Sequence, residues 1–116
     1  MCSSDLSRSS IHSAKGFLEM NAGRFNEALS HFCQVDESSN ISEIASSYTN
    51  IAICYQNLGD LTRAIEFQTK AYALAKKAGH FTGQVYSLLN LADFLVDCGK
   101  FAQADLRFKE IGRAHV

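Results

Sequence analysis

The sequence predicts an all-helical fold, an α-solenoid of three helix-turn-helix pairs, and three observations carry that expectation. There is no proline among the 116 residues and there are only seven glycines, so nothing interrupts helices, whereas β-sandwiches and barrels usually spend Pro and many Gly on their turns. One block recurs three times: Gly23, Phe25 and Ala28, then Gly59, Leu61 and Ala64, then Gly99, Phe101 and Ala104. Helical apolar spacing, i, i+3, i+4, i+7, precedes the second and third glycines in Tyr48, Ile51, Ala52 and Tyr55 and in Leu88, Leu91, Ala92 and Leu95. Those stripes are expected to face a core.

The elements follow in order. A first helix over about 9–22 stops at Gly23, whose left-handed conformation ends a helix without a Cβ penalty. A second, over 25–35, starts with bulky Phe25, and Ala28 lets neighbouring backbones approach where Leu would hold them apart. Asp36–Asn40 reads as a polar loop, with Asn40 and Ser42 offering N-cap oxygens to a third helix over 43–58. The fourth, 61–78, carries Lys76 and Lys77 near its end, where cations complement the helix dipole, and is stopped by Gly79 and His80. The fifth and sixth run over 82–98 and from 101 onward. No single pair can hide its apolar side, so the pairs must stack. The expected result is a right-handed solenoid over 7–110, with repeats at about 9–42, 43–80 and 82–110.

The two ends carry another signal. With GTG read as a start codon, Met1–Leu6 can be back-translated as GTGTGCTCTTCCGATCTN and Ile111–Val116 as ATCGGAAGAGCACACGTC, which are reverse complements once the last two bases of a GAG codon for Glu110 are included. Both resemble a common short-read sequencing adapter. Residues 1–6 and 111–116 are therefore expected to be non-native ends around a fragment of a longer gene, and Cys2 and His115 to play no part in fold or site.

Composition narrows the function classes. Eleven Lys+Arg against twelve Asp+Glu leave a net charge of −1, so the sequence-independent attraction used by nucleic-acid and anionic-membrane binders is missing. No apolar run approaches the roughly 18 residues of a membrane span and no signal peptide is evident, which leads to the expectation of a cytoplasmic protein with reduced cysteines.

The repeated blocks resemble tetratricopeptide repeats. The middle repeat carries the pattern best, with Tyr48, Ile51, Ala52, Tyr55, Gly59, Ala64 and Ala71, and with Gln68 where an aromatic residue is usual. The third has Leu88, Leu91, Ala92, Leu95, Gly99, Ala104 and Phe108. The first keeps Gly16, Gly23, Ala28 and Phe32 but has Lys15 and Glu19 at apolar positions, as an end repeat, or one whose helix is differently rotated, would. The 40-residue spacing from Gly59 to Gly99 resembles the longer-repeat branch seen in kinesin light chains, polarity adaptors and bacterial regulators.

The resemblance implies a peptide-binding groove lined by the first helix of each pair. Its exposed positions would be Ser46, Thr49, Asn50, Ile53, Gln56 and Asn57 in the middle repeat, and Tyr86, Leu89, Asn90, Asp93, Val96 and Asp97 in the third. Asn50 and Asn90 occupy the same repeat position and could pair with the main chain of a peptide. Asp93 and Asp97 would favour a basic or amide-rich ligand, while solvated surface is the simpler account of them. A carboxylate clamp is not expected, since these positions are neutral or acidic.

Catalytic and metal chemistry find no support in the spacing. His12, His31 and His80 lack any two-ligand motif, and no nucleophile, oxyanion donor or phosphate loop completes a site. Cys54 and Cys98 read as small core residues. The expectation is a module without enzyme activity, metal or cofactor that binds a protein or peptide and no nucleic acid or membrane. Self-association through an open C-terminal end is also expected, with Leu106 and Phe108 lacking a following repeat. The alternative is a sensory or regulatory segment of a larger kinase, cyclase or transcription regulator.

Overall fold

The computed structural model describes residues 8–34 and 40–114. They form six helices: α1 Arg8–Asn21, α2 Phe25–Phe32, α3 Ile41–Asn57, α4 Leu61–Lys77, α5 Phe81–Asp97 and α6 Phe101–Ala114. No strand occurs among the described residues. The fold is all-α. Of the two ends, 1–6 and 115–116 lie outside the described residues, as do Cys2 and His115, while Ile111–Ala114 continue α6. Most of the polar 36–40 loop also lies outside them.

One three-residue turn is used four times, and Leu58–Asp60 shows how it works. Gly59 takes φ 85°, the left-handed region open to glycine. Its N–H donates to Gln56 O at 3.1 Å and the Asp60 N–H to Tyr55 O at 2.8 Å, the paired bonds of a Schellman ending. Asp60 is already the N-cap of α4, its carboxylate accepting from Arg63 N at 3.1 Å. One residue closes a helix and opens the next. The same glycine-centred bonds recur at Gly23, Gly79 and Gly99, so the link from α4 to α5 is as short as the links within pairs. His80 caps α5, Nδ1 accepting from Gly83 N at 3.2 Å. Gly83 lies inside the first turn of α5.

Each helix packs on the next, and α1 also touches α3, giving a body of 49 × 32 × 19 Å. Ala28, Ala64 and Ala104 are all buried, as close helix approach requires. The apolar stripes face inward: Ile51, Ala52, Leu88, Leu91, Ala92 and Leu95 are buried, and half-buried Tyr48 and Tyr55 flank Phe67 with ring centroids 5.8 and 5.7 Å away. In the first pair, Gly16 is buried under the Phe32 ring, which a Cβ there would approach to 2.6 Å.

Three expectations are corrected. Helix α2 ends at Phe32, three residues early: the chain tightens there, Gln34 N donating to His31 O, and Ser47 Oγ of α3 takes up the free carbonyl of Phe32 at 3.0 Å. The N-cap of α3 is Asn40 alone, its Oδ1 accepting from Glu43 N at 2.8 Å, while Ser42 is already helical. Cys98 is exposed because it is the C-cap residue of α5 and lies in the turn, whereas Cys54 is buried as expected.

Candidate functional site

Fifteen residues line one open cleft of about 520 Å³. Small side chains of α3 and α4 build much of its wall, including Ala45, Ala71 and Ala75. Phe17 of α1 and Tyr86 of α5 contribute the large rings, each about half exposed. Hydroxyls of Ser42, Ser46, Thr49, Thr82 and Ser87, the Asn50 amide and the His80 imidazole supply its polar groups. No Lys, Arg, Asp or Glu lines the cleft. It is thus equipped to desolvate an uncharged group and to hydrogen-bond it at a few points.

Of the residues expected to form the groove, the structure brings Ser46, Thr49, Asn50 and Tyr86 together here. Ile53, Asn57, Leu89, Asn90, Asp93 and Asp97 do not line the cleft. Several of them already have protein partners. Asn57 Nδ2 donates to Ile53 O at 2.9 Å, completing the end of its own helix. Gln56 Nε2 lies 3.2 Å from both Asp93 Oδ2 and Asp97 Oδ2, so the acidic pair holds α3 to α5 through one amide.

The paired asparagines part company for a reason that lies in Gln68. This α4 residue is fully buried, and its amide is shared among three helices. Its Nε2 donates to Thr49 Oγ1 at 3.0 Å and to Ser87 Oγ at 3.2 Å, while its Oε1 accepts from Asn90 Nδ2 at 3.1 Å. Asn90 is therefore engaged in a contact between helices through its Nδ2, whereas Asn50 lines the cleft. An aromatic residue at position 68 could not satisfy these polar neighbours. Their presence explains the departure from the repeat pattern.

Titratable groups near the N-terminal pair are engaged locally. The Arg24 guanidinium, 2.7 Å from the Glu19 carboxylate, holds that carboxyl below its usual range and is itself raised in return. Burial pushes the Cys54 thiol up to about 11, with the nearby Cys33 adding to it, which makes Cys54 a poor nucleophile at neutral pH. No cluster of three or more His, Cys, Asp and Glu suited to a metal occurs among the described residues. The α1–α2 hairpin sets His12 Nδ1 3.2 Å from His31 Nδ1.

A family model described as a domain of unknown function, DUF6340, matches residues 14–95. The chain belongs to the DUF6340 family. No curated protein matches it. The DUF6340 span takes in all fifteen cleft residues and the Gln68 network, and it stops within α5, before Asp97. No helix among the described residues is long and apolar enough to cross a membrane.

Proposed function

We propose that this DUF6340 chain is a segment of tetratricopeptide-type solenoid that acts as a non-catalytic binding module. Its occupant is an uncharged stretch of peptide, or a loop of a partner protein, seated in the cleft bounded by α1, α3, α4 and α5. The observation that carries this reading is the cleft itself: about 520 Å³ with two half-exposed rings, small walls and no Lys, Arg, Asp or Glu. The glycine-centred turns and buried alanines at equivalent positions support the repeat architecture. Asn50 would pair with peptide main chain, and Phe17 and Tyr86 would cover apolar side chains.

A peptide-display selection on the full chain tests this directly. Peptides enriched by the wild type should be uncharged at their core and should be lost on Ala45→Trp, which fills the cleft from α3. Equal capture by wild type and a folded Ala45→Trp, or enrichment of acidic or basic peptides alone, would remove the reading.

A further inference from the structure

We infer that the two ends of the stack are complementary docking faces, α6 of one chain receiving α1 of a second copy as α2 receives α3 and α4 receives α5. The glycine-centred turns set the pairs in a common register, so positions compare when counted from Gly23, Gly59 and Gly99. Nine residues after its glycine each second helix carries Phe32, Gln68 or Phe108, and twelve residues before it each first helix carries Ile11, Ser47 or Ser87. These two positions meet at both junctions inside the chain: Ser47 Oγ donates to Phe32 O at 3.0 Å, and Gln68 Nε2 donates to Ser87 Oγ at 3.2 Å. All four residues are buried there. At the ends the same two positions hold Phe108, 50% exposed, and Ile11, 44% exposed. Leu18 repeats the contrast at 69% exposed, since Cys54 and Phe94 at its position are buried in clusters with Ala28 and Ala64 of the preceding helix. Ala104 is the matching small residue on α6.

Charge identifies the occupant as α1 of another copy. Six residues after the glycine the internal junctions use Leu29 and Ile65, and eight residues before it Ile51 and Leu91. Leu29 packs on the cluster that contains Ile51, and Ile65 on the one that contains Phe94. At the ends both positions are ionic and of opposite sign, Asp105 on α6 and Lys15 on α1, each exposed. Asp105 meets only Lys109 of its own helix, at 3.2 Å and with both side chains largely exposed, a contact that a second cation can share. Stacking α1 on α6 therefore pairs apolar with apolar and acid with base, in the register the chain already uses. None of Ile11, Lys15, Leu18, Asp105 and Phe108 lines the cleft, so docking leaves it open. The contact is heterologous, each chain offering one face of each kind, and growth is open-ended.

Sedimentation of the full chain tests this, with circular dichroism confirming that each variant keeps its helices. The wild-type mass should climb with concentration past that of two chains. Phe101→Glu with Phe108→Glu blocks the α6 face and Ile11→Glu with Leu18→Glu blocks the α1 face, so each double variant should be monomeric alone. Mixed in equal amounts, the two should form a dimer of one chain of each and stop there, because each retains the face the other lacks. Asp105→Lys should weaken wild-type association by about 1.5- to 5-fold, the range of an exposed ion pair, and Lys15→Asp added to the same chain should recover it. Both charged positions are exposed, so this reversal decides the matter should a glutamate variant fail to fold. A wild type that stays monomeric, an Ile11→Glu, Leu18→Glu chain that still associates through α6 alone, a mixture that remains monomeric, or a charge reversal without recovery would overturn the inference.

Discussion

Gln68 is the position at which the packing argument is most exposed to test. Its side chain is fully buried and joins Thr49, Ser87 and Asn90 across α3, α4 and α5. Gln68→Ala removes the side chain beyond Cβ from a site that cannot collapse freely. By analogy with Leu or Met to Ala, the lost packing and the cavity together cost up to about 2–5 kcal/mol. It also strands the Ser87 hydroxyl, itself 3% exposed, at a further cost of about 1–3 kcal/mol. The sum is a large part of the roughly 5–15 kcal/mol that holds a typical domain, so Gln68→Ala should be barely folded. Gln68→Met keeps the volume and loses only the polar contacts, for an expected loss of about 2 kcal/mol. Ser87→Ala in that background removes the stranded hydroxyl and should restore about 1 kcal/mol, a non-additivity that a double-mutant cycle isolates. Urea unfolding followed by circular dichroism at 222 nm measures all of these. Strict additivity of Gln68→Met and Ser87→Ala, or a Gln68→Ala protein within about 0.5 kcal/mol of wild type, a shift typical of surface substitutions, would refute the reasoning.

Four further predictions concern other parts of the molecule. Gly16→Ala gains about 1 kcal/mol of helix propensity, but its Cβ would meet three Phe32 ring atoms at 2.6–2.9 Å and overpacking costs about 1–3 kcal/mol. It should be destabilising in urea melts, while Gly112→Ala, with nothing within 4 Å, should be neutral or stabilising. The Cys54 thiol ionises near 9 when unfolded and about 11 when folded. Unfolded chains therefore lose the proton first, and the stability difference between wild type and Cys54→Ala should fall as pH rises from 9 to 11, by about 1.4 kcal/mol per unit. In native protein at pH 8, a thiol reagent should label exposed Cys33 and Cys98 and spare Cys54. Phe101 and Phe108, i and i+7 on α6 and at least half exposed, form an apolar stripe. Light scattering should show concentration-dependent association that Phe101→Glu with Phe108→Glu abolishes.

Much of the architecture was legible because it depends on local rules. Gly59 and Gly99 announce left-handed helix endings wherever they occur, and Ala64 and Ala104 announce close approach, since each acts through its own backbone and Cβ. The inner stripe Leu88, Leu91, Ala92 and Leu95 follows from helical periodicity alone, and all four are buried. The site was less legible. Gln68 breaks the repeat pattern, a signal visible in the sequence, but its meaning depends on Thr49, Ser87 and Asn90, which lie 19 to 22 residues away. His12 and His31 meet across the hairpin, nineteen residues apart, a contact that no helical spacing announces. Phe94 gave no repeat signal, yet it is buried against Ala52 and Ala64, where two small residues leave room for a ring.

The binding reading stands or falls on where an occupant lands. Proton–nitrogen correlation spectra of labelled full chain, titrated with a display-selected peptide, give that location residue by residue. The account predicts shifts concentrated at Ala45, Ser46, Asn50, Thr82 and Tyr86, with α6 and the outer side of α2 unmoved. Shifts centred on Gln56, Asp93 and Asp97, or on α6, would contradict it.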